Sequence, residues 1–462
     1  MVPSIIGVIV DKKKIRPIFE GNILYVGGSG PGNYTKIQDA VDNATDGDTV
    51  FVYTGTYFES ILLWKSISLV GENRQYTIIF PRDVESNENS TIYISADNCS
   101  INGFTINNNI FQIDVIGISL FSSGNMIFDN SILRFKYGIY LLDDNFEKIY
   151  TRNKILSNEV SNCTFGIYLR GTALNNTIKK NYLIDNMEGI NLYYCVNNTI
   201  TNNYVFSNTV YGIYININSD GNIISRNICS ENRYGIRFKG VNYNEIFLNR
   251  VERNVMGFYS CCGSAYNYLY LNTAIDNEMQ ASDGYYNFWD NGVFGNYWSD
   301  YNGTDSDGDG IGDTPYLIPM GDNIDNYPLM EPFDNDPPEI PTIDGPPSGR
   351  PGREYCITVH STDPDLDDVF YIVDWGDGTT SGWLGPFPQC EPVAVCNEYK
   401  RGLYFVRAKV KDIYGFESEW SDPLEVNIPR TRTNYNLFLL RFFELFTKHY
   451  FILRFFNRFV YF

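Results

Sequence analysis

The chain is 462 residues long, too long for one compact core, so two or three domains are expected. It carries 55 acidic against 35 basic side chains, a net charge of −20, which argues against a nucleic-acid partner that needs a basic face for phosphate. Aromatics at 16% and hydrophobics at 43% exclude wholesale disorder, and His360 and His449 alone are too few for a multi-histidine metal site or a histidine-based triad.

Met1 to Val10 is an apolar run, too short to span a bilayer and without the basic start of an export signal. Residues 1–21 read as the remnant of such a signal with a linker, and the chain as exported. Asn-x-Ser/Thr triplets at Asn33, Asn43, Asn89, Asn98, Asn162, Asn175, Asn197 and Asn302 support that only weakly, because an asparagine-rich chain makes them by chance.

Thr35 to Asn43 then puts Ile37, Ala40 and Val41 on one face of a short helix, and Thr49 to Tyr53 is a strand. A helix laid over the open end of a solenoid covers apolar side chains and unpaired edges. From about residue 125 a repeat takes over. Asn-x-aliphatic triplets begin at Asn176, Asn198, Asn222, Asn244 and Asn267, and a second set follows five residues after each, at Asn181, Asn203, Asn227, Asn249 and Asn272. Gly-aliphatic-x-aliphatic recurs at Gly138, Gly166, Gly189, Gly212, Gly235 and Gly257.

Three strands of three to five residues per unit of about 22, with no 3.6 period and no leucine-rich frame, specify a right-handed parallel β-helix. It should hold about ten coils across residues 22–300. Coils stack at ~4.8 Å, so equivalent positions form columns. Inward positions are aliphatic, the bends take Gly or a left-handed Asn, and stacked asparagines pair amide to amide along the axis.

Within residues 301–336, Asp305-Ser-Asp307-Gly-Asp309-Gly-Ile-Gly-Asp313 alternates carboxylates with glycine, as an EF-hand-type loop does to wrap a hard cation in oxygens. Asp305, Asp307, Asp309, Asp313 and the Ile311 carbonyl are the expected calcium ligands. Tyr316 stands where a bidentate Glu would close the site, so binding should be weak and the ion structural, stiffening a junction. A Pro-rich linker opens residues 337–430, where alternating strands such as Tyr355 to Val359, Phe370 to Trp375 and Tyr404 to Val410 indicate an Ig-like β-sandwich. The nine cysteines show no CxxC spacing; Cys390 and Cys396 could close a small loop, and the others read as small buried hydrophobes. Residues 431–462 mix Phe and Leu with Arg441, Lys448, Arg454 and Arg458. That composition suits an amphipathic helix on a membrane surface or against a partner, not a simple span.

Leu24 to Ala40, the coils, and Asn296-Tyr-Trp-Ser-Asp-Tyr301 resemble NosD-like surface proteins of archaea, whose coils belong to the broad class of carbohydrate-binding and sugar-hydrolysing β-helix domains. Trp375-Gly-Asp-Gly378 with Lys411 to Gly415 is similar to PKD-type Ig-like modules. The resemblance implies an exported, cell-surface protein but no defined reaction. A non-catalytic role is expected, with a polysaccharide or another envelope component bound along the flank. The alternative is a polysaccharide lyase or glycoside hydrolase using Asp185, Glu188, Glu231, Glu252, Asp276 or Glu278, which lie near the third-strand corner in drifting registers. Tyr193, Tyr194, Tyr211, Tyr214 and Tyr234 could stack on sugar rings, or could be outward strand residues chosen for β-propensity. The copper handling tied to the NosD name is not carried over. The coils lack histidine, their methionines are scattered, and Cys261 and Cys262 should point to opposite faces of a strand.

Overall fold

A computed structural model describes residues 21–82, 89–108, 114–142 and 148–429. The export remnant up to residue 20 and the basic tail from residue 431 lie outside the described residues. Contacts divide the chain into two units, Met1–Phe333 and Asp334–Phe462.

The first unit is a parallel β-helix. Its strands form three parallel sheets of 11, 10 and 11 strands, each ordered along the chain, so the solenoid makes eleven turns and not ten. The first sheet runs from Ile23–Val26 to Tyr268–Tyr270 and the third from Gly55–Phe58 to Tyr297–Trp298. Most of their strands are three residues long. The second sheet is broader, with six-residue strands such as Glu188–Tyr193 and Tyr234–Lys239, one more residue than the repeat suggested.

Register explains the core. Ile155, Ile178, Ile200, Ile224 and Ile246 stack in line on the first sheet, and Ile139, Ile167, Ile190, Ile213 and Ile236 on the second. All of them are buried, each covered by its own kind above and below. The helix Ile37–Asn43 seals the first end by burying Ile37, Ala40 and Val41, as the sequence pattern required. No side chain of its own caps it. Instead Glu59 accepts the free N–H groups of Ile37 and Gln38 at 2.9 and 3.1 Å. The far end is filled by Phe258, Trp289 and Trp298, with Tyr316 stacked on Trp298 at 4.6 Å.

The recurrent asparagines do not occupy the left-handed bends. The residue before each one does: Asn175, Asn197, Asn202, Arg226, Leu248 and Leu271 all have φ between 54° and 56°. Such a conformation costs a branched or bulky residue about 1–2 kcal/mol, and the asparagine that follows offsets it. Asn203 donates its backbone N–H and Nδ2 to Asn227 Oδ1 at 3.0 and 2.9 Å, and Asn227 Nδ2 donates on to Asn249 Oδ1 and to the Ile200 carbonyl, both at 2.9 Å. Two such ladders run from Asn125 to Asn287 and from Asn130 to Asn296. A third, absent from the sequence reading, joins Asn208, Asn232, Asn254 and Asn277. Each ladder points its donors toward the end of the unit, where an acceptor closes it. Asp283 Oδ2 receives Asn287 at 2.9 Å, Asp325 Oδ2 receives the Asn296 N–H at 2.7 Å, and Gln280 Oε1 receives Asn277 at 2.8 Å.

The second unit is an antiparallel sandwich of a three-stranded and a four-stranded sheet, the seven-strand arrangement of an Ig-like module. Trp375, Tyr371, Tyr399, Val359 and Val406 fill its core. Cys356 and Cys396 sit opposite one another on paired strands and form a disulfide, while Cys390 is an exposed free thiol. The expected Cys390/Cys396 loop is therefore wrong: strand register, not nearness in sequence, selects the partner.

Candidate functional site

On the broad sheet the repeat glycine and the aliphatic residue after it both face inward. The residue before the glycine, the residue after the aliphatic and every second one beyond it face outward, and parallel register stacks those outward residues into columns. One column is Tyr137, Phe165, Glu188, Tyr211, Tyr234 and Met256. Its neighbour is Tyr140, Tyr168, Asn191, Tyr214, Arg237 and Tyr259. Together they form two aromatic clusters either side of the Glu188/Asn191 coil: Tyr137 stacks on Tyr140 at 4.3 Å and on Phe165 at 4.9 Å, and beyond that coil Tyr211 lies 4.4 Å from Tyr214. Tyr140 and Tyr214 are buried beneath their neighbours, and the remaining rings are half-buried.

Two charged groups sit inside this aromatic field. Arg237 lies 5.0 to 5.4 Å from the rings of Tyr211, Tyr214, Tyr234 and Tyr259, within cation–π range of all four. Its Nη1 donates to the Tyr211 hydroxyl and its Nη2 to Cys261 Sγ at 3.5 Å, while its Nε is buried without an acceptor. Glu188 is buried and accepts Asn191 Nδ2 at 2.6 Å. Burial pushes its carboxyl above the usual range, against the pull of Asn191 and the Arg237 charge. Burial likewise raises the Tyr168 and Tyr214 hydroxyls, which stay neutral. Asn191 Oδ1 and Asn216 Oδ1, on the same face, are also buried without partners.

Of the sequence candidates, this face gathers Glu188, Tyr193, Tyr211, Tyr214 and Tyr234. Arg237 was missed, although it stands two residues after the repeat glycine, as Tyr214 and Tyr259 do. The other carboxylates lie elsewhere. Asp185, Glu231 and Asp276 occupy left-handed corner positions, with Ser207 and Arg253 at the equivalent corners between them, so they share one column and do not drift. Glu231, Asp276 and Glu278 line a shallow cleft of about 700 Å³ with Arg233 and Arg253. Arg253 bridges Glu231 at 3.5 Å and Glu252 at 2.8 Å, and Arg250 holds Glu252 at 2.6 Å. Glu231 and Glu252 are thus held by cations, which suits a solvated ion-pair surface.

The acidic loop brings Asp305, Asp307 and Asp309 together, with carboxylate oxygens within 4.8 Å of one another. Asp305 accepts the Gly308 and Gly310 N–H groups at 2.7 and 2.9 Å, which hold its carboxyl below the usual range. Asp313 is outside that cluster; its Oδ2 accepts Ser306 Oγ at 2.6 Å and Ser306 N–H at 3.0 Å. Ile311 donates its N–H to Asp309 Oδ1 at 2.8 Å.

Residues 146–303 match the family described as "Periplasmic copper-binding protein (NosD)". Over that stretch the coils are similar to NosD. Residues 68–198, overlapping the NosD-like match, also match "Protein of unknown function (DUF1565)". The chain is 30% identical over 332 residues to a cell surface glycoprotein of Methanothermus fervidus, covering 58% of this chain and 51% of that relative. It is 36% identical over 106 residues to a probable ABC transporter binding protein NosD of Pseudomonas aeruginosa, covering 21% of this chain and 24% of the relative. The chain thus spans about half and about a quarter of the length of these two relatives. Among solved structures, the PKD domain of an M14-like peptidase from a Thermoplasmatales archaeon is 44% identical, over 21% of this chain and all 100% of that one, with a TM-score of 0.20. XylC in complex with xylose is 11% identical, over 66% and 73% of the two chains, with a TM-score of 0.46.

The NosD-like coils do not offer a donor set that fits copper. They contain no histidine. Cys261 and Cys262 bring their sulfurs to 2.9 Å, because Cys262 turns into the left-handed region at φ 60° just past the strand, where the sequence reading had placed them on opposite faces. Arg237, however, lies against Cys261, and a guanidinium beside a thiol opposes a bound cation.

Proposed function

We propose that this is a cell-surface β-helix protein that binds polysaccharide along the outer face of its broad sheet. Two aromatic clusters on that face, Tyr137 to Tyr168 and Tyr211 to Tyr259, separated by the Glu188/Asn191 coil, carry this reading. Half-buried aromatic rings repeated at coil spacing suit the apolar faces of successive sugar residues. The cell surface glycoprotein relative supports a surface location. Among the described residues, no helix is long and apolar enough to cross a membrane. A glycan array with the full chain tests the reading. Binding should fall about tenfold in Tyr168→Ala and Tyr234→Ala, and retention unchanged in both variants rejects the face.

A polysaccharide lyase or glycoside hydrolase is the second reading, favoured by Glu188, a buried carboxyl held above its ordinary range, as a general acid must be. Release of unsaturated or reducing ends, lost in Glu188→Gln, would establish it over simple binding.

The Asp305, Asp307 and Asp309 cluster is proposed to hold a weakly bound structural calcium ion, with the oxygen-rich donor set such a cation requires. Calcium should raise the melting temperature of the wild type and leave Asp307→Ala/Asp309→Ala unchanged; equal shifts in both reject the site.

A further inference from the structure

The chain carries a net charge of −20, yet the outward positions of the broad sheet have the opposite balance. Arg170 and Lys239 stand in one outward column and Arg237 in the next, against Glu188 as the acidic residue of the column that begins at Tyr137, with Arg233 lying over Tyr234 at the strand entrance. Burial raises the Glu188 carboxyl above the usual range. Several cations elsewhere on the coils are paired in place, as Arg250 and Arg253 are by Glu252, and Lys136 by Asp114 at 2.6 Å. Arg237 and Lys239 form no ion pair among the described residues; the direct contacts of Arg237 are rings, a hydroxyl and a thiol, and Glu188 reaches it only as a longer-range charge.

Holding a half-buried guanidinium without a carboxylate inside an acidic protein is unfavourable unless something supplies the missing anion. The planar fork of arginine matches a carboxylate in shape. Two of its Nη N–H groups are engaged by Tyr211 and Cys261, which leaves others for a ligand. The flanking rings of Tyr234 and Tyr259 would lie under the sugar that bears the carboxylate.

We propose that the ligand of this face is an acidic polysaccharide built of uronic acids, and that Arg237 reads its carboxylate. The proposal rests on the carbohydrate-binding reading above and narrows it to one substrate class. Lys239, two residues further along the same strand, adds a second, weaker attraction and draws the polymer toward the face.

The test pairs polygalacturonate and alginate with their carboxyl-reduced, uncharged counterparts, measured by affinity electrophoresis against the full chain. Acidic polymers should be retained at least tenfold more strongly than their reduced partners, and rising salt should weaken retention. Arg237→Gln should lose about ten- to a hundredfold of the acidic binding, Arg237→Lys should recover only part of it, and Lys239→Gln should lose about threefold. Unchanged melting temperatures would show that these variants fold. Equal retention of acidic and reduced polymers, with loss in Tyr234→Ala, would overturn the uronate proposal while leaving the aromatic face standing. Acidic binding insensitive to both Arg237→Gln and Lys239→Gln would overturn it as well. No retention of either class would overturn both readings.

Discussion

The two units of this chain solve the burial problem in opposite ways. In the β-helix, a residue's neighbours above and below are its own equivalents about one coil away in sequence, so like packs on like: Ile190 lies between Ile167 and Ile213. In the sandwich, neighbours come from distant strands, and Cys356 meets Cys396 across 40 residues. The coils therefore gain stability from repetition and can accept strain at every bend. The sandwich depends on a few specific long-range closures.

This contrast can be broken from either side. Reducing the Cys356–Cys396 disulfide, or replacing both cysteines with serine, should destabilise the second unit by about 4 kcal/mol for a loop of 40 residues. Its melting transition should drop while that of the coils stays in place; a shift in both would mean that the units do not unfold separately. On the other side, Asn227→Ala removes an amide that links three coils and leaves the Asn203 N–H buried without its acceptor. A loss of about 3 kcal/mol in the coil transition is expected by urea unfolding. Asn227→Asp should not rescue it, because a buried charge would replace the missing donor.

A smaller effect should follow Gly189→Ala. A Cβ there would lie 2.6 Å from the Gly212 carbonyl oxygen and from Val205 Cγ1, too close to backbone to be absorbed, so about 1–3 kcal/mol is expected. The smallest effect is a pH dependence at the end of the second ladder. Burial raises the Asp325 carboxyl to about 6 against the hydrogen bonds from Asn296, Trp298 and Tyr327. Raised above its unfolded value, this group contributes most below about 3.8, and its contribution is lost as the pH rises through about 6. The melting temperature of wild type relative to Asp325→Asn should accordingly fall between those pH values. A difference that rises with pH would show instead that the ladder donors favour the carboxylate over burial.

The solenoid was legible because its columns are written as equal intervals. Five-residue steps between asparagines and regular steps between glycines fix which residues share a coil. The third ladder obeys the same rule, since Asn208, Asn232, Asn254 and Asn277 each follow a second-ladder asparagine by five residues. It was passed over because the next residues, Thr209, Arg233, Val255 and Glu278, are corner residues and not a recurring aliphatic strand. The Arg237 site hid in the "x" of Gly-aliphatic-x-aliphatic. That variable position is the outward one, where the repeat imposes nothing and function can be written. The Cys356–Cys396 pairing left no such trace, because antiparallel register depends on turns whose geometry composition alone does not set.

The asparagine ladders also have a direction. Every interior ladder asparagine accepts at Oδ1 from the coil before and donates its backbone N–H to the coil after, so any interior coil is interchangeable with its neighbour as far as these bonds are concerned. A whole coil could be duplicated or deleted without orphaning a single ladder partner, provided the terminating acceptors Asp283, Asp325 and Gln280 stay at the end. Rod length is in that sense a quantity that inheritance can tune in steps of one turn, lengthening or shortening the outer face while leaving the rules of its assembly untouched.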